Sequence, residues 1–77
     1  MRIWGYESTR PWTHRGSPCL AVEERGMYDL RHAITGEVLS HTFPVGYIAR
    51  TLRVAEWPAS TWPSWALDED LRLPEGI

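Results

Sequence analysis

Lysine, asparagine and glutamine are absent from this chain of 77 residues, and all eight of its basic residues are arginine. Without lysine there is no side chain for a Schiff base and no lysine contact to a phosphate, and there is no Gly-rich phosphate loop. Cys19 is the single cysteine, so no disulfide closes within the chain, which fits a reducing cytoplasm. No apolar run approaches the ~20 residues of a membrane span, and the N-terminus lacks a signal-peptide pattern. A soluble, cytoplasmic protein is expected. Ser, His and Asp all occur, yet no motif sets a nucleophile to be activated by a base, and so short a chain has little room for a concave pocket of ~300 Å³ or more. An enzyme is therefore not expected. A net charge of −2 also argues against a general polyanion binder.

Tryptophan, by contrast, is abundant. Of five in the chain, Trp57, Trp62 and Trp65 fall within nine residues, and the first two precede proline. Trp, with Tyr and Arg, dominates the energetic centres of protein interfaces, and arginine stacks on aromatic faces. The same rings could instead fold back and fill the core that a chain near the lower size limit lacks. Charge is unevenly placed. Residues 1–65 carry seven Arg against six acids, whereas residues 66–77 carry Asp68, Glu69, Asp70 and Glu75 against Arg72 alone.

The patterning is that of strands. Arg2 to Glu7 alternates and reads as a first strand; Ser8 to Pro18, with two Pro and Gly16, reads as a long loop; Cys19 to Arg25 reads as a second strand. Gly36-Glu37 is the expected two-residue turn of a central hairpin within residues 26–52. That register sets Tyr28, Leu30, His32, Ile34, Leu39, His41, Phe43 and Val45 on one face, with His32 opposite His41. The other face takes Asp29, Arg31, Val38 and Ser40. Residues 47–56 fit one more strand or a helix with Ile48, Leu52 and Ala55 as its stripe; the β-branched content and the preceding Pro-Val-Gly turn favour the strand, and Trp57-Pro58 ends it. Ser64 would cap a short helix through Leu71, too short to stand alone, so it must dock on something. The expected fold is mainly β: a small SH3-like antiparallel barrel or bent sheet of about five strands over residues 1–57. A Trp/Pro-rich acidic tail, 58–77, with one short helix would pack on it or on a partner.

Gly26-x-Tyr28-x-Leu30, then Gly36-Glu37-x-Leu39-x-His41-Thr42, then Ile48 and Arg50, resembles the SH3-like C-terminal domain of retroelement-type integrases. The resemblance covers about a third of the chain and implies a small barrel that binds DNA non-specifically through basic residues. Here those residues would be Arg31, Arg50 and Arg53, and the acidic tail departs from the pattern.

Three functional classes follow. The first is a non-enzymatic protein that binds another protein stoichiometrically, as an adaptor or inhibitor of the kind a phage or mobile element carries, with no cofactor. In it Trp12, Arg15, Trp62 and Trp65 would anchor, while Asp68, Glu69 and Asp70 steer a basic partner such as a nucleic-acid-binding protein. A homodimer falls within the same class. The second is a nucleic-acid-binding module in which Arg31, Arg50 and Arg53 meet phosphates, with affinity falling steeply as salt is added. The third is a domain stabilised by zinc through His14, Cys19, His32 and His41, although their spacing matches no compact ligand pair.

Overall fold

Four consecutive residues, Cys19 to Val22, are buried in the middle of β3 (Ser17–Glu24), and the sheet is built around them. The computed structural model describes residues 1–41 and 53–71, with side chains as far as Asp68 in the helix. A continuous apolar run flanked by strands on both edges is what a central strand requires. β4 (Met27–His32) pairs along one edge of β3, and β1 (Arg2–Gly5) and β2 (Trp12–His14) share the other. β5 (Val38–His41) lies beyond β4 and β6 (Ala55–Trp57) beyond β1, giving the antiparallel order β5-β4-β3-β1-β6. A 3-10 turn, Ala59–Thr61, and helix α1 (Ser64–Leu71) follow. The protein is thus mainly β, a small antiparallel sheet of six strands with one short helix. Of the strand expected over 47–56, residues 47–52 lie outside the described residues, as do Phe43, Val45 and Arg50; its end is β6.

β2 lies inside the segment expected to be a loop. Its three residues pair with Ser17–Cys19 through the two-residue link Arg15-Gly16, and β3 joins β4 through Arg25-Gly26 in the same way. Both links have positive φ at both positions, 54° and 83° in the first, 56° and 80° in the second. This is the backbone of a type I′ turn, whose twist matches that of the strands it joins. Arginine in the left-handed region is uncommon, because its Cβ crowds the following carbonyl at a cost of about 1–2 kcal/mol.

The β4–β5 hairpin does not turn at Gly36-Glu37 alone. Asp29 faces His41, Leu30 faces Ser40 and Arg31 faces Val38, with Leu39 as the extra residue of a bulge. The connection is the longer loop 33–37, organised by His32. Its Nδ1 accepts the amides of Ile34 (3.2 Å) and Thr35 (3.4 Å), and its carbonyl accepts the Gly36 amide at 2.9 Å. Gly36, at φ 79°, ends that turn. The expected register is therefore corrected. His41 leaves the face of Leu30 and His32 and meets Asp29, its Nδ1 2.9 Å from Oδ1. Leu39 stays beside Leu30 because the bulge turns it there.

The two faces of the sheet carry separate apolar clusters. Trp12, Cys19, Ala21 and Leu30 form one, joined by Trp4, Tyr6, Tyr28 and Val54. Ile3, Leu20, Val22, Trp57 and Ala66 form the other, joined by Met1, Ala33, Trp62 and Trp65. The tail therefore docks on its own sheet and covers the second face. α1 starts one residue before the expected cap side chain could act, since the Pro63 carbonyl accepts the amides of Ala66 and Leu67.

At the sheet surface, Arg2 on β1 reaches Glu56 on β6 with two hydrogen bonds, 3.0 and 3.1 Å. That bond holds the Glu56 carboxyl below its ordinary value and raises Arg2 in turn. A carboxyl lowered in the folded state adds stability above its unfolded value and loses it as pH falls through the folded one. We expect a ¹³C carboxyl titration to place the Glu56 midpoint below the ordinary glutamate value and to return it there in Arg2→Ala. An unshifted midpoint in the parent protein would mean that the pair is open in solution.

Candidate functional site

The tail indoles expected to anchor a partner are turned inward. Trp57 Nε1 donates to the Glu7 carbonyl, Trp62 Nε1 to the Trp57 carbonyl at 3.0 Å, and Trp65 Nε1 to the Ala33 carbonyl at 3.0 Å. Each buried N–H thus meets a backbone acceptor, and the rings of Trp62 and Trp65 are half-buried against the second cluster. Trp12, only 7% exposed and paired with Cys19, belongs to the core and offers almost no surface. Trp62 and Trp65 thus join the tail to the sheet while keeping part of each ring exposed, and Trp12 packs within the first cluster. Asp68 is exposed on α1, and the side chains of Glu69 and Asp70 lie outside the described residues.

Of the candidate zinc ligands, Cys19 and His32 face one another across β3 and β4, and the others point to separate partners or solvent. His14 is exposed on β2, His32 holds the hairpin loop, His41 contacts Asp29, and Cys19 is buried and donates to the Ser17 carbonyl at 3.3 Å. Among the described residues no group of three or more His, Cys, Asp or Glu could hold a metal ion. Burial pushes the Cys19 thiol up, which disfavours the thiolate that a nucleophile or a metal ligand needs.

The arginines of the nucleic-acid reading are engaged within the protein. Arg31, with its side chain 12% exposed, sits 3.8 Å from Asp29 and lies over the Trp65 ring at 5.7 Å. Arg53 is 3.6 Å from Glu7, which also pairs with Arg10 at 3.7 Å. Arg50 lies outside the described residues. Arg15 and Arg25, both at turn positions, have no ion-pair partner among the described residues.

The structure brings forward Ile34 and Leu39, expected on the apolar face of the hairpin, together with Val38 from the other face. Ile34, at the hairpin tip, is 73% exposed, and Val38 and Leu39 on β5 are exposed with it. The loop carrying Ile34 is fastened from below, by His32 within the loop and by Trp65 of α1 against Ala33. Shallow clefts flank the sheet, among them one of about 390 Å³ lined by Glu24, Arg25, Met27, Asp29 and His41 and two smaller ones. One, about 280 Å³, is lined by His14, Arg15, Ser17, Leu30, Leu39 and Ser40. The other, about 260 Å³, is lined by Tyr6, Arg10, Pro11, Trp12 and Thr13. No protein-family model, curated protein or solved structure matches this chain. The functional reading therefore rests on the geometry of the hairpin and the clefts.

Proposed function

We propose that this chain is a small non-enzymatic binding protein that acts stoichiometrically on a protein partner, with the β4–β5 hairpin as its leading surface. The observation that carries this is Ile34, a large aliphatic side chain presented on a fastened loop, with Val38 and Leu39 exposed on the strand behind it. An exposed apolar group on a pre-ordered loop can be buried against a partner with little further loss of backbone entropy. The exposed carboxylates Glu37 and Asp68 add negative charge on the loop and on the helix docked beneath it, which favours encounter with a basic partner. The nucleic-acid reading has less support, because Arg31 and Arg53 are already paired to acids.

The test is affinity capture from a lysate of the source cell, repeated after nuclease treatment and with Ile34→Asp. The captured protein should persist after nuclease and at raised salt. Ile34→Asp should leave unfolding stability within about 0.5 kcal/mol, as for other surface substitutions. It should weaken capture roughly 30-fold, the loss of about 2 kcal/mol typical of an interface hot spot. Equal capture by Ile34→Asp, or loss of all partners with nuclease, would overturn the reading.

A further inference from the structure

We propose that the cleft between the Arg15-Gly16 turn and β5 binds the carboxylate end of an aliphatic group presented by a peptide. Its floor is the side chains of Leu30 and Leu39, and its rim is Arg15, His14, Ser17 and Ser40. Among the described residues no acidic side chain lines it, and Arg15 has no ion-pair partner there. Elsewhere on this surface Arg2, Arg10, Arg31 and Arg53 are each paired to an acid. The guanidinium at this cleft is therefore available, and its planar fork matches a carboxylate with two parallel hydrogen bonds.

The shape narrows the ligand further. A volume of about 280 Å³ is at the lower edge of small-molecule sites, which begin near ~300 Å³, and suits a single residue of a peptide. An aliphatic stem would lie on Leu30 and Leu39 while its charge reaches the rim. A single guanidinium over two leucines favours a monoanion with such a stem over a dianionic phosphate, which needs more cations and would be desolvated against the floor. Two sources share this chemistry, a chain terminus after an aliphatic residue and a glutamate side chain.

The backbone gives independent support. Arg15 occupies a left-handed position, φ 54°, where the turn favours Gly, Asn or Asp. Its side chain is thus carried at a position that favours other residues, and non-Gly residues in such backbone cluster at functional sites. Arg25 has the same conformation at the opposite end of β3 but borders Glu24 and Asp29 in its own cleft, so it serves as the internal control.

The cleft shares Leu39 with the hairpin surface but not Ile34, so Ile34→Asp should leave carboxylate binding unchanged and the two readings can fail separately. The experiment titrates ¹⁵N-labelled full-length protein with four probes: acetyl-Gly-Leu with a free carboxylate, the same peptide amidated, acetyl-Glu amide, and inorganic phosphate. The free-carboxylate peptide or acetyl-Glu amide, or both, should shift the amides of Arg15, Gly16, Ser17, Leu39 and Ser40 saturably, and which one does so identifies the source. The amidated peptide and phosphate should not. Arg15→Asn keeps the turn, so it should remain folded with an unchanged or higher melting temperature while binding falls roughly tenfold or more, the loss of a charge-assisted pair. Arg25→Asn should bind as the parent does. Equal binding of the amidated peptide or of phosphate, full binding by Arg15→Asn, shifts that map to other residues, or no saturable shift with either carboxylate probe would each overturn the proposal.

Discussion

Trp57→Ala is expected to remove about 3–5 kcal/mol of folding stability, the usual cost of truncating a buried aromatic residue. At ~0.05–0.15 kcal/mol per residue, a chain of this length has about 4–12 kcal/mol, so the loss is a large share of the total. The position explains the size of the effect. Trp57 is 8% exposed, pairs with Ile3 across β1 and β6, and packs with Leu20, Val22 and Ala66. Its indole also satisfies the Glu7 carbonyl, and its own carbonyl accepts Trp62. One residue therefore joins the edge of the sheet, the segment after β1 and the start of the tail. Urea denaturation measures the loss, and Trp57→Phe separates its parts by keeping most of the packing while leaving the Glu7 carbonyl with the Arg10 amide as its remaining donor. A cost for Trp57→Ala below about 1 kcal/mol, within the range of substitutions that disturb no packing, would show that the tail is not held through this residue.

Gly36→Ala should cost about 2–4 kcal/mol, from two separable sources. The residue sits at φ 79°, where any Cβ is strained by about 1–2 kcal/mol. A Cβ there would also stand 2.8 Å from Cδ2 and 2.9 Å from Cγ of Trp65, closer than carbon atoms approach without displacement. Gly26, at φ 80° with open space around it, supplies the comparison, because Gly26→Ala meets only the backbone strain. Combining Gly36→Ala with Trp65→Ala should remove the steric part, so the pair should be non-additive in a double-mutant cycle. Strict additivity would mean that the loop and the helix do not touch in solution. The same experiment bears on the hairpin surface, since Trp65 holds the loop on which Ile34 is displayed.

Where the residues carry their own local chemistry, the sequence was informative. Helix α1 was legible from Ser64 after Trp62-Pro63 and from Leu67 and Leu71 four apart, and β1 from its alternation. β2 was hidden because three residues after a proline show no period, and because Arg15 is not among the residues that mark the first position of a type I′ turn. The hairpin register was misjudged for a related reason. Gly36 is recognisable as a turn residue, but the loop length is set by the His32 ring accepting two amides, a tertiary-like contact within one hairpin. With the register went the expectation that His32 and His41 share a face, and with it the closest pair of the supposed metal site. The tail tryptophans pose the converse problem. Composition shows that Trp62 and Trp65 will be buried against something, and only the acceptors at Trp57 and Ala33 show that the surface is the chain's own. Of the surface candidates, Arg15 was singled out in the sequence for its place beside Trp12 in the long loop, whereas Ile34 has no signal beyond being apolar near a glycine.

The order in which the sheet receives its covering has a consequence during synthesis. Ile3, Leu20 and Val22 are made early, yet their side of the sheet is closed by Trp57 and Ala66. At about 5–20 residues per second, a ribosome leaves that side open for on the order of seconds. The early hairpins can form in that interval, but the nascent chain keeps a sticky flank until its last third arrives.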